Sequence, residues 1–427
     1  MVTKLSRRKF LQLSTGVGVG LALNACGAFS RAGRPIKIGY VTPQTGPLAG
    51  FSEADDFIIN GIREVWANGI MVGGTTHPVE IIVVDSQSNP GHAAEVARNL
   101  ILNDKIDLMA VGNTPETTNP VSDQCEINQV PCISSLAPWQ PWYFRTPDVP
   151  ASGYHWTYHF FWGLEDIIQV YLNIWESLET NKVVGGLWPN DSDGFAWSDP
   201  DLGFPPAMIA RGFKVIDPGR YENLSSDFTP QITLFKEAGV EIVSGVMLPP
   251  DLATFLSQAD QQDFKPKAVT VAKAALFPGS VEAIGGNLGD GLTGEVWWSP
   301  NHPYKSSLTG ITPIDLANTY TEETDRQWTQ FLGFVHALFE VVADTLARTE
   351  NIDDSEAILA AIKATKLDTI IGPVSWTGGP TPNVSKTPLV GGQWGPGEDF
   401  PWELTITSNA TAPDIPTGGS TRPRPNS

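Results

Sequence analysis

"IKIGYVTPQTGPLAGF", residues 36–51, decides the fold class. Ile36 to Val41 is an apolar, β-branched run of strand length, and it breaks off at Thr42-Pro43 into a loop punctuated by Gly46, Pro47 and Gly50. The same alternation continues down the chain. "SEADDFIINGIREVWANG" has helical spacing, "VEIIVVDSQSNPG" is strand and loop again, "HAAEVARNLILNDK" is helical, and "IDLMAVGN" is a strand. A helix from about Glu116 to Asn128 and the strand "PCISS" follow. A second series starts near Lys182 with "KVVGGLWPND", "PPAMIARG", "FKVIDPGRY", "FTPQITLFKEAG", "VEIVSGVM", "DLATFLSQADQQ" and "KAVTVAK". Apolar strands separated by helix-length segments predict an α/β chain with parallel sheets and right-handed crossovers, built twice. Ligands of such sheets sit outside the carboxyl ends of the strands. The loops "TPQTGPLAGF", "GNTPETTNP", "SSLAPWQPW" and "PNDSDGFAW" are therefore the candidate binding loops, and two lobes facing across them would make a cleft.

The composition agrees with two lobes and narrows the partners. A chain of 427 residues exceeds one ordinary core. With 27 Lys plus Arg against 47 Asp plus Glu, the formal net charge is −20, which argues against nucleic acid as a partner because phosphate binding draws on clustered basic side chains. Residues 1–25 read as an export signal. Ser6-Arg7-Arg8-Lys9-Phe10-Leu11 precedes a mild, Gly-rich apolar stretch, as in twin-arginine signals. That stretch is too short to span a bilayer, which takes about 20 strongly apolar residues. It ends in Leu23-Asn24-Ala25-Cys26-Gly27, a lipoprotein-like box in which Cys26 would receive the lipid and residues 26–34 would form a tether. The expected location is extracytoplasmic, on the membrane through that anchor. Cys125 and Cys132 then remain as an even pair, either bonded in an oxidising compartment or two buried thiols. Residues 409–427 are Pro-, Gly- and Thr-rich without apolar periodicity and are expected to be a flexible tail.

Catalytic and metal signals are weak. Gly50-Phe51-Ser52-Glu53-Ala54 lacks the last glycine of a nucleophile elbow, and Ser52 is better placed as a helix-start residue. "GGNLGDGLTG" lacks the Lys-Ser/Thr ending of a phosphate loop. His155 and His159 share a face, but no third ligand stands near them, so no metal is assigned. "DSDG" at 191–194 lacks the spacing of a calcium loop and reads as a turn. No cofactor is implied and the chain reads as a binder rather than an enzyme. Phe51, Trp139, Trp142, Trp188, Trp197 and the pair Trp297-Trp298 fall near predicted loop ends, where they could pack between lobes or wall a small ligand.

Taken in order, "IKIGYVTPQTGPLAGF", "WANGI", "VEIIVVDSQSNPGHAAEVARNLI", "IDLMAVG", "VPCISS" and "SSDFTPQITLFKEAGVEIV" resemble the type I periplasmic binding proteins of ABC importers, nearest the leucine/isoleucine/valine- and amide-binding subgroup. The likeness runs from about residue 35 to 408. It implies two Rossmann-like lobes joined by three hinge crossings: residues 35–157 plus 299–372, and 158–298 plus 373–408. It also implies an extracytoplasmic receptor, expected to be a monomer, that captures a small organic ligand (an amide, aromatic or carboxylate compound, or an amino acid) and hands it to ABC permease subunits. A ligand sensor without a transporter and, less well supported, an exported enzyme are the alternatives. Carried onto this sequence, the ligand-binding positions are Phe51, Glu116, Thr117, Thr118, Ala137, Trp139, Asp193, Lys273 and Thr293. Two departures stand out. Leu136-Ala137-Pro138-Trp139 replaces an Ala-Thr type pair, so a hydroxyl and an N–H are lost at Pro138, and Thr293 falls where an acid is expected, with Glu295 two residues on. Both weaken an α-amino-acid clamp and favour an amide, aromatic or carboxylate solute.

The address is open to test on its own. Replacing Cys26 with Ala should move the exported protein from the membrane to the soluble fraction on cell fractionation, and unchanged membrane retention would dismiss the lipid anchor.

Overall fold

The computed structural model describes residues 33–425. The signal segment, Cys26 and nearly all of the tether lie outside the described residues. The chain divides into two compact units. The first holds residues 33–137, Phe144–Phe161 and His302–Thr387; the second holds Pro138–Tyr143, Trp162–Asn301 and Pro388 onward.

The first unit is built on a six-stranded parallel sheet in the order Val384–Ser385, Thr157–Phe160, Cys132–Ser135, Leu108–Gly112, Ile36–Thr42, Val79–Asp85. Ile36–Thr42 pairs in register with Val79–Asp85 on one side and Leu108 onward on the other. It is buried along most of its length, which is why it reads as a continuous apolar run without alternation. Val41, Met109, Val111 and Cys132 meet Ala93, Ala97, Val121 and Cys125 of the covering helices in one cluster. Cys125 and Cys132 are buried there as two free thiols in contact. The helix Phe331–Arg348 is apolar almost all round and buried accordingly. Its one buried acid, Glu340, accepts from the Ser307 hydroxyl (2.8 Å) and the Ile370 N–H (2.9 Å), so two loops are fastened to one helix.

The second unit repeats the plan. Its strands run Arg220–Tyr221, Val183–Pro189, Ile242–Val246, Ala268–Ala272, Thr293–Val296, Val390–Pro396, Trp402–Ser408, with Lys214–Ile216 also paired to Val183–Pro189. The strands are parallel up to Thr293–Val296, after which Val390–Pro396 and Trp402–Ser408 add an antiparallel edge. In both units the strand that opens the series lies inside its sheet and the next lies at the edge. That reversal of order is the switch point at which open α/β sheets bind ligands.

Three expectations about boundaries need correcting. "TYHF" is not a crossing but the strand Thr157–Phe160 of the first sheet, so the chain leaves the first unit after Phe161. It returns there at His302 and stays until Thr387, well beyond residue 372, because Gly372–Ser375 pairs with Lys366–Thr369 and Val384–Ser385 joins the first sheet beside His159. Residues 409–425 are not a loose tail. Ile415 is fully buried, Gly418 donates from its N–H to the Ile406 carbonyl (2.9 Å), and Arg422 exchanges bonds with Gln393. Arg424 reaches the carbonyl of Leu288 (2.6 Å). Low periodicity was a poor guide there, because the segment docks through backbone and guanidinium bonds more than through an apolar stripe.

The helix Asp55–Val65 contains Gly61, and a Cβ built on it meets nothing within 4 Å. Glycine in a helix interior costs about 0.8–1 kcal/mol relative to alanine. Gly61→Ala is therefore expected to stabilise the chain by about that amount in denaturant unfolding, and a loss of stability would show that the space is not open.

Candidate functional site: the strand ends of the two units

In the first unit the opening loop is held by three side chains. Buried Asp55 accepts from the Tyr40 hydroxyl (3.0 Å) and the Thr42 hydroxyl (2.6 Å), tying the start of the helix to the strand before it. Asp85 accepts from the Thr45 hydroxyl at 2.6 Å, and Ser88 donates to the Thr45 carbonyl at 2.6 Å. Gly46 has a φ of +89°, with Ser88 Oγ only 2.7 Å from where a Cβ would stand, so only glycine lets the loop lie this close. The loop is thus a fixed wall. Phe51, expected over a ligand, is 3% exposed and packs edge-on against Phe331 at 5.1 Å.

After the strand Leu108–Gly112 the chain turns through Asn113 and Thr114 into the helix Pro115–Asn128. Glu116 lies in its first turn, partly exposed, and Thr117 is buried. Thr118 is committed to its own loop: its hydroxyl donates to the Asn113 carbonyl (2.9 Å) and accepts from the Asn113 N–H (3.0 Å). Asn113 and Thr114 were missed in the sequence. Both are buried, and Asn113 Nδ2 and Thr114 Oγ1 have no hydrogen-bond partner among the described residues. Two buried donors at a helix N-terminus suit an acceptor-bearing solute. The legible signal was their place as the first residues past a strand end.

The next loop is strained. Leu136, a buried non-glycine residue, has φ of +70°. The carbonyl of Ala137 is held by His159 Nε2 at 2.7 Å, and Ser134 Oγ lies 2.9 Å from Nδ1. Burial lowers the His159 pKa to about 3, so the ring is neutral. The carbonyl can only accept, which puts the ring proton on Nε2 and leaves Nδ1 to accept from Ser134. His155, read from the sequence on the same face, is exposed and bonds Glu356; the two histidines have separate duties.

Pro138–Tyr143 belongs to the second unit. Trp139 donates from Nε1 to Glu165 (3.1 Å), and its ring fills the space where a Cβ on Gly163 would stand. Of the aromatic residues singled out by position it alone is part-exposed. Trp142, Trp188, Trp197 and Trp298 are essentially fully buried, and Phe51 and Trp297 nearly so. Trp197 stacks on Phe204 at 4.7 Å, a packing role that a loop-end position did not reveal.

Asp191 caps the helix Ser192–Ser198 by accepting from the Gly194 N–H (2.8 Å), as a turn-forming acid does. Asp193, in the first turn, is buried and forms an ion pair with Lys273. Lys273 is the first residue past the strand Ala268–Ala272 and has φ of +67°. Each unit thus bears a left-handed non-glycine residue just past one of its strands, Leu136 and Lys273, and such strain collects at binding sites. Thr293 does not take the place of a ligand-holding acid. It sits in a relay inside the sheet: Trp175 donates to Thr270 (2.8 Å), the Thr270 and Thr293 hydroxyls are 2.7 Å apart, and Thr293 donates to the Val269 carbonyl (3.2 Å). Glu295, one pleat repeat further toward the strand end, is the acid at this level. It accepts from the Tyr171 hydroxyl (2.8 Å) and from the Lys273 N–H (3.4 Å), and burial pushes its pKa up to about 7.

Residues 35–387 match the model of a family described as periplasmic binding protein. A search of curated proteins returned no match. Among solved structures, the leucine-binding protein LivK of Thermotoga maritima is similar at 17% identity, covering 88% of this chain and 99% of that one, with a TM-score of 0.70. LivJ of Streptococcus pneumoniae, a branched-chain amino acid transporter substrate-binding protein in complex with isoleucine, is 15% identical over 87% of this chain and 99% of its own, with a TM-score of 0.69. An ABC-transporter solute-binding protein of Rhodopseudomonas palustris BisB5, in complex with 3,4-dihydroxybenzoic acid, is 18% identical over 89% and 99%, with a TM-score of 0.67. At these identities the likeness concerns the fold.

Burial of Glu295 has a measurable sign. An unfolded glutamate loses its proton near pH 4.3, whereas the folded carboxyl keeps it to about 7. Unfolding between those values releases a proton, so this group's contribution to stability is full below about pH 4, declines as pH rises, and is gone above the folded pKa. Glu295→Gln retains an acceptor for Tyr171 and should flatten part of that decline in denaturant titrations. Asp55 and Glu340, also raised to about 7 by burial, keep the remainder. An unchanged slope would mean that Glu295 ionises normally.

Proposed function

The chain belongs to the periplasmic binding protein family, solute-binding proteins of ABC transporters and not enzymes, and on that premise we propose that it is the receptor for a small organic acid with a flat apolar body. In this reading it is exported by the twin-arginine route, tethered through Cys26, and delivers its solute to an importer. The observation that carries the ligand class is the Lys273–Asp193 ion pair. A free α-amino acid needs an acid to hold its ammonium, and here Asp193 is answered by Lys273 while Glu295, its pKa raised to about 7 by burial, carries a reduced charge around neutrality and is bonded by Tyr171. A carboxylate would instead find unanswered donors in Asn113 and Thr114 of the first unit. Trp139, part-exposed and oriented by Glu165, supplies an aromatic face for the body of the solute. Pro138 removes a backbone donor that an amino-acid clamp would use. Phe51, Glu116, Thr117 and Ala137 contribute walls and backbone to the same proposal. The two solved relatives above with isoleucine and with 3,4-dihydroxybenzoic acid show that this fold carries both kinds of ligand, and the residues here favour the second.

A thermal-shift screen of benzoates, aliphatic acids, amides and amino acids tests the class, since a ligand at 100 times its Kd stabilises by about 2.7 kcal/mol. Trp139→Ala is expected to weaken binding of the solute so found at least about tenfold by calorimetry. Leucine, isoleucine and valine should bind poorly to the unmodified protein. Tight leucine binding insensitive to Trp139 would overturn this assignment and restore an amino-acid clamp.

A further inference from the structure

Away from the strand ends, the first unit contains a pocket of about 270 Å³. Its walls are the helices Asp55–Val65 and Pro313–Thr324, completed by Thr309 and by His336. Phe57, Ile58, Ile62, Val65 and Leu316 give it an apolar surface. The charged side chains that line it are all carboxylates: Asp56 and Glu64 from the first helix and Glu323 from the second. The neighbouring cation, Arg63, is turned toward the Ile81 carbonyl (3.0 Å) and Asn60 Oδ1 (3.2 Å) and is not among the lining residues. His336 adds no positive charge, because burial lowers its pKa to about 4 while Ser306 holds its Nε2 at 2.8 Å. The room in this pocket depends on Gly61, whose missing side chain leaves open space on the wall of a helix that would be more stable with alanine there.

We propose that this groove is a second binding site, specific for a small organic monocation with an ammonium or guanidinium head on a compact apolar body. The apolar lining takes the body, and the carboxylates answer the head. An anion is repelled by the same carboxylates, and a neutral solute gains only the burial. Size permits it: a cavity of about 150 Å³ already admits benzene, so a benzylammonium-sized cation fits in about 270 Å³. The strongly acidic chain, net −20, enriches cations at its surface in the same sense. The site is independent of the solute site at the strand ends, shares none of its residues, and would pair an acidic solute with a cationic co-ligand.

The experiment uses the full mature chain with benzylammonium as probe, benzyl alcohol as its uncharged counterpart, and ligand-observed NMR titration at low salt. Benzylammonium should bind saturably and at least about fivefold more tightly than the alcohol, with the advantage shrinking as salt is raised. Gly61→Leu, which fills open space in an intact helix, should abolish binding, and Asp56→Asn with Glu64→Gln should reduce the amine to the affinity of the alcohol. A cooperative thermal unfolding transition close to that of the unmodified chain reports that Gly61→Leu is folded. No saturable binding, equal affinity for the two probes, or binding that survives Gly61→Leu would each overturn the proposal.

Discussion

Parallel pairing of Ile36–Thr42 with both of its neighbours is the constraint on which everything else rests. Two parallel strands cannot be joined by a tight hairpin, so each return of the chain must cross the sheet through a helix, and every strand then delivers its carboxyl end to the same edge. That is how Thr42, Asn113 and Leu136, scattered over the sequence, come to stand at one edge of one sheet, and how Asp191, Lys273 and Trp297 come to one edge of the other. The chemistry of those residues follows from this placement: groups just past a strand end are near the surface yet fixed by the sheet beneath them.

Fixing polar groups in this position has an electrostatic consequence. Asp55 and Glu340 in the first unit and Glu295 in the second are buried carboxyls answered by hydroxyls and N–H groups, and each is raised to about 7. They work as hydrogen-bond anchors between a helix and a loop, or a strand and a helix, more than as charges. Asp193 and Lys273, which meet in the second unit where both are largely buried, neutralise one another.

The fold was legible because its signal is repeated: each β-branched run ended at a Gly, Pro or Asn loop, and a helix-length segment separated it from the next. The site was less legible, because the side chains that decide it look ordinary in sequence. Thr118 reads as a ligand hydroxyl, yet its bonds go to Asn113; Thr293 reads as a replaced acid, yet it belongs to a relay with Trp175 and Thr270. Loop-end tryptophans read as ligand walls, but Trp188 and Trp197 are core, since helices packed close to the strand ends enclose them. Lys273 and Asp193 were found as positions, not as a pair, because two groups 80 positions apart in sequence are brought together only by the parallel sheet. The docked segment after Ser408 was missed for the opposite reason: its bonds run through backbone and guanidinium groups, which leave no periodic trace.

That docked segment also bears on folding. Arg424 bonds the carbonyl of Leu288 across 136 residues, and its backbone N–H reaches Lys267. The second unit thus takes material from the middle of the chain and from its last residues, and the first unit is itself incomplete until Thr387 has been made. Either sheet closes only when segments far apart in sequence have met, so the entropy of closing long loops is spent before the pairing rewards it, and each unit folds more slowly than its size alone would suggest.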